Sequence, residues 1–314
     1  MIHSSYSDTS LQPLIDFSKK VYGKNAYQAS KDFLKWALSK KYLEISTTDT
    51  QSGEVYSMIY SMQIDAGFVH FKSFFNYITN EENRGAGIHH LACIRREHNF
   101  FIPAVSDPDL SKSYARFGAN QIRFNWFKRL LVPLPNLPLI FKFITNKDIS
   151  IVDKKNDIFI SNKLCSTRLS KISEVSKIAD IEFIKWRLTS KNNNRVFVLE
   201  DNHESALIIA VLGKRHHVPL VRVIYCFGSS SALKKLVDRA CQLGRELGAI
   251  VCLTTVHEKH SSNFFKDRRY KLRDGINTFY KQVNVENKKS LSNPECLMLC
   301  GDLGIEEQFG GGHG

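Results

Sequence analysis

The run Asn83-Arg84-Gly85-Ala86-Gly87-Ile88-His89 sets two glycines between a β-rich segment, Phe68 to Thr79, and a segment of helical character, His89 to Glu97. Glycines at such a junction let the backbone turn sharply and present several N–H groups to an anion, and the positive end of the helix dipole adds to the attraction. That chemistry suits a phosphate or pyrophosphate. No Gly-Lys-Ser/Thr follows, so the run is not a P-loop, and its spacing is not that of the dinucleotide fingerprint. Further on, Tyr114-Ala115-Arg116-Phe117-Gly118-Ala119 offers a phenol, which stays protonated at neutral pH and can donate to a departing anion. His70, early in the β-rich segment, is a candidate base because imidazole titrates near neutrality. Asp65, Glu81, Glu82 and Asp107 could take the same role.

Positioning these groups requires a scaffold, and its order can be read from apolar spacing. Leu14, Phe17 and Val21, then Phe33, Leu34 and Leu38, predict two helices separated by a turn at Gly23–Asn25. Alternating segments at Tyr42–Thr48 and Val55–Ile64 flank Asp49-Thr50-Gln51-Ser52-Gly53 and predict a hairpin. The long strand at 68–79, the glycine run, a helix, a buried strand at Phe100–Val105 and a short helix opened by Ser106-Asp107-Pro108-Asp109 follow, and a strand closes the half.

The second half repeats this order. Phe33-Leu34-Lys35-Trp36-Ala37-Leu38 has a counterpart 150 positions on in Phe183-Ile184-Lys185-Trp186-Arg187-Leu188. Strands at Arg195–Glu200, Ser205–Leu212 and Leu220–Phe227, a helix at Ala232–Leu247, a strand at Ala249–Thr255 and a short helix at Ser262–Asp267 are expected in turn. The halves differ chemically. Gly228-Ser229-Ser230-Ser231 replaces the glycine run, and Phe265-Lys266-Asp267-Arg268-Arg269 stands in place of the segment carrying the phenol. Residues 1–130 and 151–290 are therefore read as two α/β domains, with 131–150 as a proline-rich apolar linker and 291–314 as a tail.

These residues carry a family resemblance. Arg84-Gly85-Ala86-Gly87-Ile88-His89 resembles the Arg/Gln-x-x-Gly-x-Gly/Ala pyrophosphate loop of the GNAT acyltransferases, with His89 in the place usually held by Gly or Ala. Tyr114 to Ala119 is similar to their Tyr-x-x-hydrophobic-Gly-Phe signature, with Ala119 for the final Phe. The resemblance implies two tandem GNAT-like domains, each a mixed, mostly antiparallel sheet flanked by helices. It implies acetyl-CoA or another acyl-CoA as donor, held by Ile78 and residues Arg84, Gly85, Ala86, Gly87, Ile88 and His89. Tyr114 would protonate the coenzyme A thiolate, and His70 stands where several relatives carry a Glu base. The Phe-Leu/Ile-Lys-Trp signature is similar to that of proteins from bacterial surface-polysaccharide clusters, which implies a small-molecule amine acceptor such as a nucleotide-linked amino sugar. Fem-type aminoacyl transferases, which use charged tRNA, are an alternative, as is a non-catalytic binding module.

Composition narrows the partners without choosing among them. The chain has 314 residues, 43% of them apolar and 24% charged, which fits a globular protein and excludes a disordered one. With 44 basic against 31 acidic residues its net charge is +13, which favours an anionic partner such as coenzyme A, a nucleotide-sugar, RNA or an anionic membrane. A recognised RNA or DNA module is not visible. Seven scattered cysteines, and a first segment without an apolar core or cleavage site, lead us to expect a cytoplasmic protein with reduced thiols. His89-His90, His216-His217, His257-Glu258-Lys259-His260 and Cys296-x-x-x-Cys300 do not have metal-site spacing, and no metal is expected. Leu130 to Ile144 is too short and too proline-broken to span a bilayer, although with Trp126, Lys128 and Arg129 beside it the segment could touch a membrane peripherally.

Overall fold

The computed structural model describes residues 11–40, 42–49, 53–66, 69–80, 82, 86–105, 107–144, 150–154, 157–162, 181–188, 196–201, 206–215 and 217–282. The first half gives α1 (Leu11–Tyr22), α2 (Lys31–Ala37), β1 (Leu43–Asp49), β2 (Val55–Ala66), β3 (Val69–Thr79), α3 (Ala86–Arg96), β4 (Phe100–Val105), α4 (Pro108–Arg116) and β5 (Asn120–Leu130). Next come α5 (Leu137–Ile144), β6 (Ser150–Asp153) and β7 (Ile158–Ser161). The second half gives α6 (Ile181–Leu188), β8 (Val196–Asp201), β9 (Ala206–Arg215), β10 (Val218–Gly228), α7 (Ser230–Glu246), β11 (Val251–His257), α8 (Ser262–Phe265) and β12 (Lys271–Lys281). The helix α5 falls within the proline-rich linker, where apolar spacing alone predicts none. Pro138 is its second residue, where a missing N–H costs no helical hydrogen bond.

The twelve described strands join one sheet in the order β1-β2-β3-β4-β12-β5-β11-β10-β9-β8-β7-β6. The sheets of the two halves are thus continuous, where the sequence suggests two bodies divided near residue 130. The last strand of each half crosses over: β12 pairs with β4 and β5, while β5 pairs with β12 and β11. Asn277 lies opposite Val105, and His257 opposite Phe124. Each half therefore completes the sheet of the other, and the halves share a hydrogen-bonded seam.

Alternation along the strands builds a layer on each face. Val196 and Val198 join a core with Leu14 of α1, Phe33 of α2 and Phe183 of α6. Phe197 and Leu199 turn the other way, into a core under α7 with Leu233, Leu236, Val237 and Ala240. That stripe recurs at helical spacing, and Gly244 continues it because a Cβ there would lie 2.8 Å from Val221 Cγ1. A third core, between the first half of the sheet and α3 and α4, holds Ile59, Phe74, Phe100, Ile102, Tyr114 and Phe279. This core therefore draws on both halves: its Phe279 comes from β12.

Candidate functional site

β3 and β4 run parallel but pair only at Lys72–Phe100 and Ser73–Phe101. Beyond Ser73 the β4-facing edge of β3 has no strand partner among the described residues. A bulge accompanies the divergence. The β2–β3 register shifts between Met58 and Tyr60, and Asn76 adopts φ 49, a conformation Asn tolerates better than most residues. The Asn76 carbonyl accepts a hydrogen bond from the Tyr22 hydroxyl at 3.4 Å, and its amide donates to the Tyr27 hydroxyl, which pins the bulge to α1 and the turn after it. As a result Tyr77 packs on the α3/α4 side, while Ile78 packs with the core on the opposite face.

The wedge between the diverging strands meets the start of α3. Ala86, Gly87, Ile88 and His89 lie in the first turn of that helix and not in a loop ahead of it, and Arg84 and Gly85 lie outside the described residues. Composition suggests a turn at Gly87, but a first helical turn also accepts glycine, and its N–H groups have no helical carbonyl to pair with. That places the backbone donors of Ala86 to His89 at the positive end of α3. Ile88 is exposed, and His90 is buried with its ring edge-on to Tyr77 at 5.3 Å.

On the other wall, α4 positions Tyr114. Asp107 caps the helix, its carboxylate accepting from Asp109 N at 2.8 Å and Leu110 N at 3.2 Å, and Pro108 begins it. Gly118 ends the helix at φ 77, with Gly118 N donating to Ala115 O and Ala119 N to Tyr114 O. The Tyr-Ala-Arg-Phe-Gly run is thus a helix end that fixes a tyrosine one turn earlier. The Tyr114 ring packs against Phe279 at 5.6 Å and Phe117 at 6.4 Å, with only 4% of the residue exposed. Its hydroxyl has no hydrogen-bond partner among the described residues. Burial, with the nearby Tyr77 and Asp107 adding to it, raises the Tyr114 phenol to about 12, so it is a donor throughout the ordinary pH range.

The wedge does not gather every residue picked from the sequence. His70 is exposed at the start of β3, opposite Asp65 on β2, on the far side of the Lys72–Phe100 pairing from the divergence. At about 3.3 Å per residue it lies roughly 20 Å along the strand from Asn76. Sequence reasoning missed Tyr77 and Phe279. Tyr77 faces the site because of the bulge, and Phe279 reaches it through the strand exchange; neither relation leaves a local trace in the sequence.

The second half has a similar wedge. β10 and β11 pair from Leu220–Val251 to Val223–Thr254, then part beside a register shift between Val223 and Tyr225. Phe264 stacks on Phe127 of β5 at 5.2 Å, as Tyr114 packs on Phe279 of β12. Phe264, buried, is therefore the counterpart of Tyr114, and the exposed Phe265 is not. This wedge lacks the phenol. Ser229 caps α7 by accepting from Ala232 N, and Ser230 Oγ lies 2.7 Å from His260 Nδ1, tying the helix start to the turn after β11. No group of three or more potential metal-ligating side chains occurs among the described residues, and Cys296 and Cys300 lie outside them. None of the described helices is long and apolar enough to cross a membrane.

No family model and no curated protein sequence matches the chain. Solved structures do. A tandem GNAT protein from the clavulanic acid biosynthesis pathway is 8% identical, with 91% of this chain and 99% of that one aligned and a TM-score of 0.53. Saccharomyces cerevisiae N-myristoyltransferase with bound myristoyl-CoA is 12% identical over 94% of this chain and 81% of that one, TM-score 0.55. A GCN5-related glucosamine N-acetyltransferase region of a fungal multi-domain β-N-acetylglucosaminidase is 10% identical, covering 89% of this chain and 38% of that one, TM-score 0.53. At these identities the likeness is one of fold, and it extends over both halves: the chain has the tandem GNAT fold, closed by exchanged final strands.

Proposed function

We propose that the chain is an acyl-CoA-dependent N-acyltransferase whose donor site is the wedge of the first half. The observation that carries this reading is Tyr114, a residue only 4% exposed whose hydroxyl has no hydrogen-bond partner among the described residues and whose ring lies in the core beside the divergence of β3 and β4. A protonated phenol held there suits the release of a thiolate. The unpaired edge of β3 around Ile78 would pair with the pantetheine amides, and the N–H groups from Arg84 to His89 would hold the pyrophosphate. The acceptor amine then attacks the thioester carbonyl carbon, the C–S bond breaks and the sulfur takes the Tyr114 proton, while the proton lost by the amine passes to water, from which the Tyr114 phenolate is reprotonated. We assign no base: His70 lies before the Lys72–Phe100 pairing, on the other side of it from the divergence of β3 and β4.

Of acceptors, an amino sugar is the one we favour, supported by the similarity to a glucosamine N-acetyltransferase region and by the signature around Trp36 and Trp186. The bound myristoyl-CoA of another similar fold supports testing long acyl chains beside acetyl. The deciding experiment is calorimetric titration with acetyl-CoA and myristoyl-CoA, run beside a Gly87→Trp variant whose fold is checked by circular dichroism. Micromolar binding that the variant loses supports the donor site. No heat with either donor overturns it.

A further inference from the structure

The chain leaving β5 runs on past the sheet with its polar backbone bonded inward; Leu131 and Leu139 turn into the core, while other apolar side chains face outward. Leu131 N donates to Ile250 O at 2.9 Å, Leu134 N to Arg245 O at 3.0 Å and Asn136 N to Glu246 O at 2.8 Å, and Val132 O accepts from Arg245 Nε at 2.9 Å. The strap is thus fixed to the C-terminal end of α7, and Pro133 and Pro135 stiffen it further. Outward, Val132 is 71% exposed and Leu134 59%; one turn apart on α5, Leu137 and Phe141 are each 62% exposed. Five of the eleven exposed large hydrophobic side chains described fall in residues 130–141, a concentration that scattered surface apolarity does not produce.

Cations border this apolar strip. A groove of about 500 Å³ is lined by Lys128, Arg129, Arg245, Arg269 and Lys271 with Leu130, Leu131 and Val132, and by no carboxylate. Lys128 and Lys271 sit directly opposite each other on β5 and β12. Like charges so placed repel, and neither lysine has an ion-pair partner among the described residues. Arg129 and Arg269, in contrast, are bound to Asp238 and Asp267. Lys128 and Lys271 therefore lack a counter-anion among the described residues, and exposed aliphatic and aromatic carbon lies along the strap beside them.

We propose that this surface seats on an anionic phospholipid bilayer, with Lys128 and Lys271 among the phosphates and Val132, Leu134 and Phe141 entering the headgroup–acyl boundary. A leaflet offers both layers at the required spacing, since apolar faces of interfacial elements sink about 5–10 Å below the surface. A soluble anion would satisfy the lysines and leave the aliphatic strip in water. Seating of this kind depends on the strap and groove alone, whether or not the first half transfers acyl groups.

The test is sedimentation of the full chain with vesicles of phosphatidylcholine alone and of phosphatidylcholine with about a third phosphatidylglycerol, a fraction that gives a strongly anionic surface. The protein should pellet with the anionic vesicles only, and release as salt screens the surface. Lys128→Ala with Lys271→Ala should weaken partition roughly thirtyfold. Val132→Ser with Leu134→Ser and Phe141→Ser should weaken it at low salt too, with circular dichroism unchanged in both variants because every altered side chain lies at the surface. No pelleting with anionic vesicles overturns the proposal. Pelleting that either variant leaves intact, or that inorganic phosphate displaces at equal ionic strength, also overturns it; the last result would mark a soluble-anion site instead.

Discussion

The indole rings of Trp36 and Trp186 lie parallel, with centroids 4.6 Å apart and planes 1° from parallel, and each N–H donates to the other's main-chain carbonyl, at 3.1 and 3.3 Å. The two residues are 150 positions apart, at equivalent places in the two halves, so the contact is a reciprocal one across the approximate twofold of the fold. Phe183 and Tyr42 close around it. Truncation of either ring removes stacking area and leaves the other residue's main-chain carbonyl without its indole N–H donor. Trp186→Ala should destabilise by about 3–5 kcal/mol and Trp36→Ala, which is less buried, by somewhat less. Urea titration of the two single variants and the double variant checks this, and a coupling energy of about 1 kcal/mol or more is expected for residues in direct contact.

Exchange of β5 and β12 makes a second prediction. Separate domains would melt in two steps, but each half here lacks its final strand unless the other is folded. Unfolding should therefore be a single transition, with tryptophan fluorescence and far-ultraviolet circular dichroism superimposing in urea. Two resolved transitions would contradict the exchange. Residues 1–130 expressed alone should be poorly soluble, since they leave β4 and β5 without the strand that lies between them.

The repeat, the element order and the tyrosine near the end of the first half were legible because each is a local pattern: apolar spacing, Gly and Pro punctuation, and a helix cap at Asp107. The exchange was not. β5 and β12 alternate like any half-buried strand, and nothing in Ile122, Phe124 or Ile276 says which neighbour they pair with. The bulge at Asn76 was equally hidden, although it decides that Tyr77 and not Ile78 faces Tyr114. The glycine run is recognisable by composition, but its boundary with α3 is not, because Gly87 is as compatible with a first helical turn as with a loop. The strap after β5 reads as a linker because its prolines exclude a spanning helix; that its backbone bonds inward to Arg245 and Glu246 is a tertiary fact.

Tyr114→Phe should lower kcat by about a hundredfold or more, the usual scale for loss of a general acid, and leave the KM for the acyl donor within about twofold. Because the folded phenol is raised to about 12 and the unfolded one titrates near 10, the unfolded chain loses this proton first as pH rises. Stability contributed by Tyr114 is therefore complete below about pH 10 and declines between about 10 and 12. Chemical denaturation of the parent and the Phe variant across that range should show the parent losing stability and the variant losing less. A parallel decline in both would remove the burial of Tyr114 as its cause.

Gly118 tests the cap that fixes Tyr114. At φ 77 the position is left-handed, and a Cβ placed there would meet nothing within 4 Å, so the cost of substitution is conformational and not steric. Gly118→Ala should destabilise by about 1 kcal/mol. In a chain of this size that lowers Tm by about 1.5 °C. Scanning calorimetry gives the value directly; an unchanged Tm would mean that the end of α4 relaxes freely, and that core packing and not the cap holds Tyr114.

Acid should loosen the ion-pair cluster beside α7. Asp267 accepts from the Arg269 guanidinium, at 2.7 Å to Nη2, and lies 2.8 Å from Lys234 Nζ, while Asp238 takes Arg129, Lys234 and the Tyr270 hydroxyl. The Arg269 hydrogen bonds, against some desolvation and with help from Lys234, hold the Asp267 carboxyl well below the usual carboxylate range. A depressed folded pKa means the unfolded chain binds the proton first as pH falls. The stabilisation is thus full above the unfolded value near 4 and is lost progressively as pH drops below it toward the folded value. Asp267→Asn should weaken the protein at neutral pH by about 1–3 kcal/mol, because Lys234 and Arg269 lose a charged acceptor. The difference between parent and variant should shrink steadily from about pH 4 downward, measured by urea titration at each pH. A difference that stayed constant through that range would show that the carboxylate's charge is not what the two cations require.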